Sequence, residues 1–136
     1  MIDNKIHQYI EKERSKPFVW GSRDCNTFVL NFIDSIYNLD LEKKVKGKYK
    51  TEFGAIKFQK NFGQYLSEYL ISNGGKKILP TQATIGDILI IKKGVYELGH
   101  ICLGALVAGC LEHESITIGR VQDFNTFDFA VRFNYA

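Results

Sequence analysis

Hydrophobic periodicity in this chain changes character at Pro80, and that change limits the available folds more than any other feature. Before Pro80, apolar residues recur at three and four positions, the spacing of one helix face. After it they come in short β-branched or aromatic runs separated by Gly, Asn or Asp. Ile2, Ile6, Tyr9 and Ile10 put an apolar stripe on a first helix. That helix should stop before Pro17, because the residue ahead of a proline avoids the α region. Phe28, Val29, Phe32, Ile33, Ile36 and Tyr37 mark a largely buried second helix running to Asn38, with Asp24 placed as its N-cap. Further helices are predicted over 51–60 and 62–72, and strands over 85–91, 99–107, 110–114, 116–121 and 127–133. Helices first and strands second is an α+β pattern, with N-terminal helices gathered on one face of a C-terminal antiparallel sheet. With 136 residues, one domain spanning 1–136 is expected.

Composition narrows the function classes. Hydrophobic residues at 45% and charged residues at 24% are the balance of a folded, water-soluble unit, not of a disordered or fibrous chain. The longest apolar runs, such as 101–108, fall short of the roughly 20 residues of a membrane span, so none is expected. Residues 1–7 alternate polar and apolar and lack the apolar stretch of a secretion signal. Cytoplasmic synthesis is expected, with any route out supplied by something else. The net charge of +3 comes mostly from lysines scattered between Lys43 and Lys93, without an aromatic-interleaved basic stripe, so no nucleic-acid partner is expected. The lysine-bearing stretch over 41–49 reads as an exposed linker with a solvated surface. Three cysteines, Cys25, Cys102 and Cys110, are an odd number without framework spacing, which argues for reduced thiols.

One of those thiols sits where chemistry is possible. The stretch from Pro17 through Trp20, Gly21 and Asp24 to Cys25 puts a cysteine in the first turn of a predicted helix, after a loop that Gly21 allows to turn tightly. Free amides and the helix dipole stabilise a thiolate there, and such cysteines fall from a pKa of about 8.5 to between about 3.5 and 7.5. The Cys25 amide would also be aimed at a developing oxyanion. The competing reading is a small buried core residue. His100, beside Gly99 at the start of an apolar run, could accept the Cys25 proton to form a thiolate–imidazolium pair, against the alternative of a satisfied structural histidine. His113, in the next predicted strand, could hydrogen-bond the His100 ring and fix its tautomer. Glu112 and Glu114 would then face water. Cys102 and Cys110 read as packing residues and His7 as solvated. Trp20 either lines a cleft or plugs its loop onto the core.

These residues resemble the NlpC-type cell-wall cysteine peptidases of the papain-like superfamily. The likeness rests on three blocks in the family order: Pro17, Trp20, Gly21, Asp24, Cys25, Phe28 and Val29; then Gly86, Asp87 and Ile88; then His100 and Ile101. It implies a core helix bearing the cysteine at its N-terminus against a sheet bearing the histidines. It also implies nucleophile Cys25, general base and acid His100, and third polar residue His113, with no cofactor and no metal. Phe18, Trp20, Asp24 and Asn26 fall at substrate-binding positions. The implied reaction is amide hydrolysis in peptidoglycan stem peptides through a thioester. Short single domains of this kind without a secretion signal are similar to proteins of phage tails, which makes tail proteins the implied partners and the virion tail an implied location. The chain departs from the pattern at four places. Phe18 stands for a tyrosine whose hydroxyl lines the site, Asn26-Thr27 for Ser-Gly, Ser22 for a second glycine, and Cys102 for the glycine two places after the histidine.

Three rival readings remain. Cys25, His100, Cys102 and His113 are zinc-type ligands, but without C-x-x-C or H-x-x-x-H clustering. The altered positions would suit a tail structural or assembly protein with reduced or no catalysis. Acyl transfer would use the same thioester chemistry.

Overall fold

A computed structural model describes residues 2–62, 65–94, 96–112 and 114–134. Its helices are α1 (Ile2–Glu13), α2 (Cys25–Tyr37), α3 (Glu52–Phe62) and α4 (Leu66–Ser72). The strands are β1 (Lys76–Ile78), β2 (Ile88–Lys93), β3 (Tyr96–Cys102), β4 (Leu106–Cys110), β5 (Ile116–Arg120) and β6 (Phe129–Arg132). They form one antiparallel sheet in the order β1-β6-β2-β3-β4-β5. The expected α+β architecture is present.

Helix α2 is the centre of the core. Phe28, Val29, Leu30, Phe32 and Ile33 are almost wholly buried, each such side chain contributing about 1.5–3 kcal/mol. They pack on the sheet face carrying Ile88, Ile90, Ile101, Ala108 and Val131. The opposite face carries Leu89, Cys102 and Ala130, with Phe127, Ile78 and Phe124 among the residues packed there. Helices therefore cover one face, and strand and loop residues the other.

The Gly86-Asp87 block is part of this framework. Arg132 on β6 donates from Nε to both Asp87 oxygens at 3.1 and 3.2 Å and from Nη2 at 2.8 Å. The Gly86 amide reaches the Cys102 carbonyl at 2.8 Å. Together they tie the approach to β2 to both neighbouring strands.

Several boundaries differ from the sequence reading. The run over 99–107 is not one strand: it breaks into β3 and β4 around a turn at Gly104, whose φ of +86° suits glycine. Among the described residues of 110–114, no strand follows Cys110, where β4 ends, and β5 begins at Ile116. Strand β1 was not anticipated; it is short and largely exposed, so it lacks a hydrophobic pattern. The segment over 41–49 is not a free linker. Leu41, Val45 and Tyr49 are buried at intervals of four while the intervening lysines stay exposed.

Buried Glu13, at the end of α1, receives hydrogen bonds from Lys16 and Arg23, pinning the loop that follows. Burial works against its carboxylate, but these two cations outweigh burial and hold its pKa below the ordinary value. A depressed native pKa gives stability that is present above the unfolded value and lost as pH falls through the folded one. Glu13→Gln should lower stability at pH 7 by about 1–2 kcal/mol, allowing for solvent around Lys16. In thermal melts followed by circular dichroism the difference from wild type should close as pH drops below about 4, the carboxylate range.

Candidate active site

The loop before α2 is shaped by contacts its sequence only partly announces. Val19 and Arg23 exchange backbone hydrogen bonds at 2.9 and 2.7 Å, closing a tight turn around Gly21. Gly21 has a φ of +83°, and a Cβ there would lie 1.8 Å from the Tyr49 carbonyl oxygen, so no other residue fits. The Gly47 amide bonds the Gly21 carbonyl at 2.8 Å, locking the lysine-bearing segment onto this loop.

Asp24 then caps α2. Its Oδ1 accepts from the amides of Asn26 and Thr27 at 3.0 and 2.9 Å, and Thr27 Oγ1 accepts the Asp24 amide at 2.8 Å. Its Oδ2 accepts from the Gly21 amide and the Tyr49 hydroxyl at 2.9 and 2.7 Å. The carboxylate is wholly buried and fully hydrogen-bonded, which is a capping role.

Where α2 meets the sheet, the strands part. β4 pairs with β3 only at Ile101↔Ala108 and Cys102↔Val107. Further back along β3, the backbone groups that would face β4 are taken by one side chain. Asn26 Nδ2 donates to the Glu97 carbonyl at 2.8 Å, and Asn26 Oδ1 accepts from the Gly99 amide at 2.9 Å. The carboxamide stands in for a strand.

Beside this junction lies a cleft of about 180 Å³, lined by Phe18, Trp20, Cys25, Tyr96, Leu98 and His100, with Glu52, Lys93, Cys110, Leu111 and Glu112. Phe18 and Trp20 meet edge to face at 4.8 Å, and the Trp20 indole donates to Glu112 Oε2 at 2.7 Å. Trp20 thus lines the cleft and joins its loop to the segment after β4.

Cys25 is 5% exposed, and its sulfur lies 3.5 Å from the Tyr96 hydroxyl. Burial first, then the Asp24 carboxylate, push the thiol up to about 12, and the Tyr96 hydrogen bond offsets only part of this. The helix-terminus advantage is outweighed by burial and then by the negative charge of Asp24, and the Asn26 amide recovers only part of it. Burial also lowers the pKa of His100, whose Nδ1 is buried without a hydrogen-bond partner. The two side chains share the cleft but not a hydrogen bond. Burial thus favours the neutral thiol and the neutral imidazole over the expected ion pair.

Cross-strand packing sets the imidazole. His100 lies opposite Leu89 on β2 and meets the Phe127 ring edge-on at 5.6 Å. A Cβ at Gly109 would come within 2.8 Å of His100 Cδ2, so glycine is what lets the ring lie across β4.

Residues 2–126 match the family described as Domain of unknown function (DUF6950). The chain belongs to that family. No curated protein matches it.

In this DUF6950 chain, Cys25, His100, Phe18 and Trp20 meet at one cleft. Asp24 and Asn26 lie behind it, Asp24 in the cap and Asn26 hydrogen-bonded to β3, where it lines a hollow of about 30 Å³. His113 lies outside the described residues. Glu112, Glu114 and His7 are exposed. Among the described residues, no group of three or more His, Cys, Asp or Glu side chains is placed to hold a metal, and no helix is long and apolar enough to cross a membrane. The sequence pattern starts this strand at Gly99 and so does not reach Tyr96, where β3 begins. Begun earlier, strand alternation would have placed Tyr96, Leu98 and His100 on one side of β3.

Asn26→Leu removes both bridging hydrogen bonds and leaves the Glu97 carbonyl and the Gly99 amide unpaired in a buried place. It should cost about 2–6 kcal/mol in urea unfolding, at about 1–3 kcal/mol per unpaired group. An unchanged midpoint would show that the carboxamide does not hold the helix to the sheet.

Proposed function

We propose that this domain is a thiol hydrolase of peptide amide bonds, acting on peptidoglycan stem peptides with a papain-like NlpC-type arrangement. The observation that carries the reading is the shared cleft: Cys25 at a helix N-terminus and His100 on a central strand, from opposite halves of the chain, line the same hollow. The DUF6950 match is neutral on activity, and the motif order adds support.

The chemistry follows from the two neutral groups. Substrate in the cleft sets its carbonyl carbon against Cys25 Sγ. As the S–C bond forms, the thiol proton passes to the imidazole, whose buried, unpaired Nδ1 is an open acceptor. The carbonyl oxygen takes the negative charge and is met by the Cys25 amide at the helix end. The imidazolium returns the proton to the leaving amine as the C–N bond breaks, leaving a thioester. Water then attacks with His100 again as base, releasing the acid and restoring the thiol. The aromatic wall of Phe18 and Trp20 excludes water and offers an apolar surface to the substrate. His113 as the third polar residue remains part of this proposal.

One observation favours a second reading, a non-catalytic component of a phage tail: the resting thiol is pushed up to about 12, far from an activated nucleophile. Purified murein separates the two. The hydrolase should release stem-peptide fragments detectable by mass spectrometry. Cys25→Ala should abolish release, and His100→Ala should slow it by about 10²-fold or more, the usual contribution of a general base. A folded wild-type protein that releases nothing supports the assembly reading.

The pH profile carries a sign. Burial lowers the pKa of His100, so the imidazole stays an unprotonated base to lower pH than a free one. The acid limb of kcat/KM should fall below pH 6.5, with activity lost only as His100 protonates. An acid limb above that value would contradict a desolvated imidazole base.

A further inference from the structure

We infer that Tyr96 is a further catalytic residue, its hydroxyl donating a hydrogen bond to the Cys25 sulfur as that sulfur gives up its proton and attacks. The inference rests on the thiol chemistry proposed above and adds to it a residue that none of the three motif blocks contains.

The geometry is direct. Tyr96 Oη lies 3.5 Å from Cys25 Sγ and is the thiol's hydrogen-bonding side chain. Tyr96 opens β3, the strand that also carries His100, so one element delivers both polar groups to the cleft. Its ring is buried in the main hydrophobic cluster, which fixes where the hydroxyl points. At rest either group can donate, but a thiolate can only accept, so the phenol must then be the donor. Burial, with the neighbouring thiol second, raises the phenol above its ordinary range, so it keeps its proton while the sulfur ionises.

The need for such a donor is equally visible. The Asn26 amide gives the sulfur some support but is shared with Asp24, whose carboxylate opposes charge on sulfur more strongly. Phe18 has no hydroxyl to offer from the loop side of the cleft. The Tyr96 hydroxyl supplies the missing stabilisation from the strand side. The proton balance is simple: the thiol proton goes to His100, and Tyr96 retains its own throughout.

Tyr96→Phe tests this, since it removes one oxygen and keeps the ring in the core. The rate of iodoacetamide alkylation at Cys25 is followed against pH, with the Cys25 peptide read by mass spectrometry so that Cys102 and Cys110 do not contribute. Loss of a charge-assisted hydrogen bond should move the curve up by about one pH unit, a rate about tenfold slower at any pH below the inflection. Thiolate absorbance, taken as a difference from Cys25→Ala, is independent of reagent access and should move by the same amount. Circular dichroism confirms the fold of each variant. Superimposable titrations of wild type and Tyr96→Phe overturn the inference. Alkylation needs no hydrolysis, so a shifted titration without murein turnover sinks the hydrolase reading alone. Cys25-dependent turnover with superimposable titrations sinks the Tyr96 assignment alone.

Discussion

The carboxamide of Asn26 holds the two halves of this molecule in register. β4 leaves β3 after two paired residues, and the exposed backbone of β3 would otherwise be an unpaired edge inside the protein. Asn26 fills that gap with one donor and one acceptor, at 2.8 and 2.9 Å, a match that Ala, Ser or Asp cannot reproduce. Because Asn26 follows Cys25 directly in α2, the bond that closes the sheet edge also sets the sulfur beside β3. The cleft exists because the strands part, and the cysteine faces it because the helix repairs the parting.

The electrostatics of the cysteine follow from the same economy of space. A helix N-terminus stabilises a thiolate only while its amides and its field remain available. Here a buried carboxylate, needed to cap the helix and bind the Gly21 loop and the Tyr49 hydroxyl, takes both the Asn26 and Thr27 amides. Burial, and after it that carboxylate, raise the thiol pKa, so the hydrolase proposed above calls for a general base to take the proton during attack. His100, half-buried and unpaired at Nδ1, is the group proposed for that step.

Legibility in the sequence varied with the range of the interaction. Asp24 as cap, the buried stripe of α2 and the change to strands after Pro80 were readable because each depends on neighbours within a turn or on a simple period. The break between β3 and β4 was obscured because Gly104 sits inside a continuous apolar run, so only its positive φ distinguishes a turn from a strand. The packed segment over 41–49 was hidden by its lysines, although Leu41, Val45 and Tyr49 recur every four residues. Of the site, Cys25, His100, Phe18 and Trp20 could be named in advance. Tyr96 and the bridging use of Asn26 could not, since both act through contacts with residues about seventy positions away.

What the sequence determined by itself was the α+β division, the helix that begins at Cys25 and the candidate nucleophile and base. Helix periodicity, capping and strand alternation are short-range properties, written in adjacent residues. Only the tertiary structure decided that the sulfur is hydrogen-bonded to a tyrosine hydroxyl, that its charge is discouraged by burial, and that β3 and β4 separate to leave a cleft. Those outcomes depend on desolvation and on distances between elements remote in the chain, quantities that no local pattern contains.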